Sequence, residues 1–127
     1  MRKKLLITFL LLTSTTCWGE WGLLISAGQA DWYIDTNSIK KSATSNSIHV
    51  WILKNFKKKQ MEYLSQVSYY EFNCDNNGHR YLQNIFYTEH FANGKHFNWK
   101  SFDKEWQYLP LDTMMGQVVY ATCTTWN

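Results

Sequence analysis

"MEYLSQVSYYEFNCDNNGHRYLQNIFYTEHF", residues 61–91, decides the architecture of this chain. Two runs rich in Tyr, Phe, Val and Ile flank "DNNGHR", where Asn77-Gly78 supplies residues tolerant of positive φ. The reading is a β-hairpin: a long strand over 61–74, a turn, and a return strand over 81–91. Alternation along the first strand puts Tyr63, Val67 and Tyr69 on one face and Leu64, Tyr70, Phe72 and Cys74 on the other. On the second strand Tyr81, Ile85 and Tyr87 oppose Leu82 and Phe86. So tight a turn joins antiparallel neighbours, because a parallel pair needs a long crossover.

Working outward, "EWGLLISAGQADWYID" (20–35) reads as two short strands broken at Gly28, and "SIHVWILKNF" (47–56) as a further strand. "ANGK" (92–95) is a second turn signal, leading into a strand over "HFNWKSF" (96–102). The expectation is an antiparallel sheet of about five or six strands. After Trp106 the pattern changes. Pro110 stops extended pairing, Asp112 stands where an N-cap acceptor belongs, and Met115, Val118, Val119, Thr122 and Cys123 then recur at helical spacing. One C-terminal helix from about Asp112 is expected, packed on the face that carries Tyr70, Phe72 and Cys74. Val, Thr and Gly are poor helix formers, so this helix depends on the sheet. At about 11 residues it would be about 16 Å long and about 10 Å wide, too small to cover both faces. The other face is left for a second copy, the N-terminal strands or a ligand to cover, unless its Tyr and Trp rings stay half-exposed.

The start of the chain, "MRKKLLITFLLLTSTTCWGEW", has the layout of an export signal: three cations, a short apolar run, then small residues. Its apolar run is far short of the about 20 residues that span a bilayer. Cleavage is expected between Gly19 and Glu20, making residues 1–19 a signal peptide and 20–127 the working domain. Cys17 follows Ser14, Thr15 and Thr16, without the Leu-like residue and final small residue that lead a lipidated cysteine, so cleavage is favoured over a lipid anchor. The whole chain of 127 residues carries 13 Lys and Arg against 10 Asp and Glu. Arg2, Lys3 and Lys4 are the only charges in residues 1–19, so the remaining domain is neutral and offers no global field for nucleic acid. With Cys17 removed, Cys74 and Cys123 remain as a pair in an exported protein, where thiols oxidise. One disulfide is expected between these residues, 49 positions apart, worth about 4 kcal/mol in the chain-entropy model.

Chemistry-bearing residues are few. Lys57, Lys58 and Lys59 form a basic run that can bind acidic or sulfated partners or simply solvate a hairpin end. His49, His79, His90 and His96 show no HxH or HExxH spacing, so no metal site is expected, although His90 and His96 flank the "ANGK" turn near Glu89. Asp103 and Glu105 are the nearest thing to paired carboxylates, and no GxSxG, phosphate loop or CxxC occurs. No catalytic residue and no cofactor are expected. Trp51, Trp99 and Trp106 with Tyr69, Tyr70 and Tyr87 either form a platform for sugar or peptide or fill the core and a dimer seam.

The ordered series "EW", "WYIDTNSI", "VWILKNF", "YYEFNC", "NIFYTEHF" and a closing P-x-D-T…C resembles the surface-adhesin protein E family of small exported Gram-negative proteins, over residues 20–127. The resemblance implies a small antiparallel sheet with a C-terminal helix tied on by a disulfide, able to form a homodimer. It also implies adhesion, with host glycoproteins such as vitronectin, laminin and plasminogen as partners. The family's vitronectin-binding stretch is basic and leads into the first cysteine; the residues here that resemble it are Lys57, Lys58 and Lys59. The functional expectation is therefore a non-enzymatic binding protein of the periplasm or cell surface, with no nucleic-acid partner and no transmembrane segment. The alternative is a structural or accessory protein of the periplasm that meets no host ligand.

Overall fold

The computed structural model describes residues 20–126; the expected signal peptide, with Cys17 and Gly19, lies outside them. Strands β1 (Trp21–Ala27), β2 (Ala30–Asp35), β4 (Ser47–Gln60), β5 (Tyr63–Asn73), β6 (Gly78–Glu89) and β7 (Asn93–Trp99) lie side by side in that order, each antiparallel to its neighbour. Two short strands complete the sheet: β3 (Lys40–Lys41) pairs with β4, and β8 (Gln107–Tyr108) pairs with β6. The single α-helix among the described residues, α1 (Met114–Trp126), closes the chain. Every connection between consecutive long strands is local except β2 to β4, which carries a 3-10 turn (Thr36–Ser38) capped by Asp35 accepting from Asn37 N at 3.0 Å. This is the α+β architecture expected from the strand and helix patterns.

The main core forms between α1 and the even-numbered face of the sheet. Trp32, Ile34, Ile48, Val50, Ile52, Tyr70 and Phe72 meet Met115, Val118 and Val119. Cys74, on the same face as Phe72, is bonded to Cys123 near the end of α1. The helix begins two residues later than expected. Thr113, not Asp112, is the N-cap: its Oγ1 accepts from Gly116 N at 3.1 Å and donates to Pro110 O at 2.6 Å. Gly116 has a steric reason. A Cβ there would stand 2.1 Å from the Pro110 carbonyl oxygen, so only glycine lets the first turn close on Pro110.

Three expectations are corrected by local register. The lysines 57–59 are not beyond the strand; β4 continues through them to Gln60, with a pairing irregularity between Asn55 and Gln60. Tyr81 does not share a face with Ile85. An extra residue in β6, between the pairs Tyr69↔Gln83 and Tyr70↔Tyr81, flips it to the helix side, where its ring lies 4.8 Å from Tyr70. The turn before β7 is not "ANGK" but His90–Ala92, with Phe91 and Ala92 both at positive φ.

That turn also covers the second face. Asn55 Oδ1 accepts from Phe91 N at 2.9 Å, Ser65 Oγ accepts from Ala92 N at 3.0 Å, and His90 Nε2 meets Phe56 O at 2.8 Å. Phe91 lies edge-on to Tyr33 at 5.2 Å, and Ala92 packs with Trp21, Tyr33 and Trp51 around a second cluster of Leu53, Val67, Ile85 and Tyr87. The N-terminal strands, by Trp21 and Tyr33, and the curled β6–β7 turn share the work.

Candidate functional site

The basic run sits at the tip of the β4–β5 hairpin. β2 runs beside β4 only as far as the Ala30↔Phe56 pair, and Lys57 N donates to Gln29 O at 2.9 Å as the last tie. Residues 57–60 therefore extend past the end of β2, and Met61 and Glu62 close the hairpin, Met61 at φ 61° and 89% exposed. Lys57, Lys58 and Lys59 are all exposed and line, with Gly28, Gln29 and Gln60, a depression of about 360 Å³. Lys57 Nζ stands 3.9 Å from Asp31 Oδ1, while Lys58 and Lys59 have no acidic partner among the described residues. Just inboard, Lys54 Nζ lies 4.4 Å from the centre of the Trp32 ring, and burial lowers its pKa. The tip concentrates positive charge within residues 20–127, where Lys and Arg balance Asp and Glu at ten each.

The aromatic residues do not form one platform. Trp51 and Tyr69 pack together on the second face, ring centres 4.8 Å apart, with His49 stacked on Tyr69. Tyr87 is buried on that face under His96. Tyr70 is buried beneath the helix side of the sheet, and Trp106 covers Arg80, whose guanidinium binds Glu71 at 2.7 and 2.8 Å. Trp99 is the most exposed of the six, at 43%, and lines a cleft. His90 and His96 are drawn apart to Phe56 O and the Tyr87 ring, and no three His, Cys, Asp or Glu side chains gather at metal-binding distance among the described residues. Asp103 Oδ1 accepts from Glu105 N, so these two carboxylates belong to a loop turn.

Residues the pattern of the sequence did not single out are Gln66, Ser68 and Asn84. They are buried polar groups on the helix-side face. Gln66 Nε2 donates to Ser68 Oγ at 3.1 Å and to Asn84 Oδ1 at 2.9 Å, and Ser68 Oγ donates to Asn84 Oδ1. The signal was present: in the row Leu64, Gln66, Ser68, Tyr70, Phe72, two positions due to face the core are polar.

His79 is the other buried polar side chain of note, 2% exposed, with Tyr70 and Tyr81 rings each at 6.0 Å and Nδ1 without a hydrogen-bond partner among the described residues. Burial lowers its pKa below 6.5. The folded protein then holds fewer protons than the unfolded chain once pH falls below 6.5. Stability contributed by neutral His79 is whole above that value and is lost as pH drops toward the folded-state pKa. Urea unfolding between pH 7.5 and pH 5 should show this loss, and His79→Gln should flatten it; an equal slope in the variant would assign the loss elsewhere.

Comparison with known proteins agrees with this geometry. A family model described as Surface-adhesin protein E matches residues 18–124. Among solved structures, protein E of Haemophilus influenzae is similar in fold, with a TM-score of 0.68 at 20% identity over 90% of this chain and 89% of that one. Protein E from non-typeable Haemophilus influenzae gives 0.65 at 20% identity over 90% and 80%. A second crystal form of Haemophilus influenzae protein E gives 0.58 at 22% over 74% and 83%. No curated protein sequence matches the chain. At these identities the solved structures speak for the fold. The family match spans the six long strands, most of the helix and both bonded cysteines, and on that ground the chain belongs to the surface-adhesin protein E family.

Proposed function

We propose that this protein is a non-enzymatic, exported adhesin whose basic hairpin tip docks acidic or sulfated segments of host glycoproteins, of the kind that vitronectin, laminin and plasminogen represent. The observation that carries the reading is the tip itself. Lys57, Lys58 and Lys59 are held by a two-residue hairpin past the end of β2, and Lys58 and Lys59 form no ion pair among the described residues. Family membership supports adhesion as the class of function. Export is supported by the leader pattern over 1–19, with cleavage at Gly19–Glu20, and by a disulfide that persists in oxidising compartments. None of the described helices is long and apolar enough to cross a membrane. A homodimer is part of the proposal, since β1 and β7 are the outermost strands of the sheet among the described residues, and Leu23 and Phe97 are exposed on them.

Binding of the purified protein to immobilised vitronectin and to heparin tests the tip. Changing Lys57, Lys58 and Lys59 to Glu turns three attractions into repulsions of about 0.2–1 kcal/mol each, which together weaken binding by about tenfold or more. The loss should shrink as salt rises. Unchanged binding would remove the tip from the account, and a protein spared by protease on intact cells would rule out direct adhesion.

A further inference from the structure

On the helix side of the sheet, α1 covers the rows that carry Ile34, Ile48, Val50, Ile52 and Phe72. Along β5 and β6, beside the helix, the same face turns polar at Gln66, Ser68 and Asn84 and opens into a cleft of about 390 Å³. Its walls are rings. Trp99, which pairs in register with Asn84, is 43% exposed and lies 5.7 Å from Phe86, while Tyr81 and Phe102 meet edge-on at 6.1 Å along the opposite side. The loop after β7 supplies the rim, including Asp103.

Replacing apolar side chains by two amides and a hydroxyl on a packed sheet face costs stability unless each polar atom is partnered. Here the partnering is incomplete in a particular way. Asn84 Oδ1 takes both available donors, from Gln66 and Ser68, and the Ser68 hydroxyl also meets Tyr70. Asn84 Nδ2 and Gln66 Oε1 make no hydrogen bond among the described residues, and both side chains line the cleft. One donor and one acceptor are thus held rigidly on two central strands, at the floor of an aromatic-walled opening. We propose that this cleft binds one pyranose unit of an uncharged glycan, its C–H face on Trp99 and Phe86 and its hydroxyls on Asn84 Nδ2 and Gln66 Oε1.

The chemistry favours a sugar for two reasons. A hydroxyl-rimmed ring offers donors and acceptors around an apolar face, which matches amides set between rings. The floor is neutral, so a phosphate or sulfate would enter without a counter-charge beneath it. The volume lies in the lower part of the range for small-molecule sites, about 300–1,000 Å³. This site is separate from the lysine tip and does not depend on it.

The test is a nuclear magnetic resonance titration of the disulfide-bonded protein with lactose, maltose and N,N′-diacetylchitobiose, each added alone. At least one should move the Trp99 indole N–H and the Gln66 and Asn84 side-chain amides to saturation. Trp99→Ala should weaken that binding by about tenfold or more, through loss of one stacking face. Asn84→Asp, which keeps the acceptor for Gln66 and Ser68 and removes the Nδ2 donor, should weaken it comparably. Changing Lys57, Lys58 and Lys59 to Glu should leave it unaltered. No saturable shift with any of the three sugars overturns the proposal. So does wild-type affinity in folded Trp99→Ala, or shifts confined to β7 backbone amides, which would make the edge a strand-pairing surface. A response only to a sulfated heparin disaccharide overturns it too, and returns attention to the tip.

Discussion

Replacing Cys74 and Cys123 together by Ala should cost the folded protein about 4 kcal/mol, from the denatured-chain entropy that a closure of 49 positions removes. The loss is large against the about 5–15 kcal/mol that holds a typical domain folded. The structure explains why this helix needs the bond. α1 has no acidic residue in its first turn and no basic residue in its last, so its dipole is uncompensated by charge. Gly116, Val118, Val119 and Thr122 are poor helix formers, and the Thr122 hydroxyl donates back to Val118 O at 2.8 Å. Its only peptide connection to the sheet is the segment 100–113, where β8 is just two residues long. Once the second tether is cut, α1 can leave Ile48, Val50 and Phe72 exposed to water. Urea unfolding should show a lower midpoint, and far-ultraviolet circular dichroism should lose helical signal before sheet signal. An unchanged midpoint would mean that packing alone docks the helix.

Much of this arrangement was legible along the chain, because it rests on two periodicities. Phe72 and Cys74 lie two apart on a strand, and Val119 and Cys123 four apart on a helix, so each cysteine marks the buried face of its own element. Parity reasoning failed at Tyr81, since one extra residue in β6 reverses every face assignment N-terminal to it and leaves no mark in composition. "ANGK" looked like the turn because Asn-Gly relaxes positive φ locally. Long-range bonds from Asn55, Ser65 and Phe56 instead place Phe91 and Ala92 there, a choice that no local rule contains. The helix start shifted for a smaller reason: Asp112 and Thr113 are both competent caps, and the Pro110 carbonyl decides between them by engaging Thr113. The lysine tip could be read as a run of one residue type. Of the amide floor only Gln66 and Ser68 could be read, as polar breaks in an apolar row; Asn84 is 16 positions from Ser68 and meets it only through register.

Phe72→Ala should be nearly as damaging as loss of the disulfide, at about 3–5 kcal/mol, for a different physical reason. Phe72 is fully buried, opposite Ile48 on one side and His79 on the other, with the Tyr70 ring 5.2 Å away and the Val118–Val119 face of α1 above it. Truncation leaves a void that the sheet cannot close, because its strands are fixed by pairing on both sides and the helix is fixed by Cys74, two residues along. The cysteine pair acts largely on the unfolded chain, whereas Phe72 acts on the folded one. Their proximity means that the two losses should couple rather than add. With the disulfide intact, the strained cavity persists; with it removed, α1 can shift inward and recover part of the loss. The cost of Phe72→Ala should therefore be smaller in the Cys74→Ala/Cys123→Ala background than in the natural chain. Phe97→Ala, on the exposed edge strand β7 with its side chain 53% exposed, should stay within about 0.5 kcal/mol at dilutions that keep copies apart, and there serves as the surface reference. Denaturant midpoints for the four chains and the Phe97 variant give all the terms. A Phe72→Ala cost no larger than that of Phe97→Ala would place the core somewhere other than between α1 and the even face of the sheet.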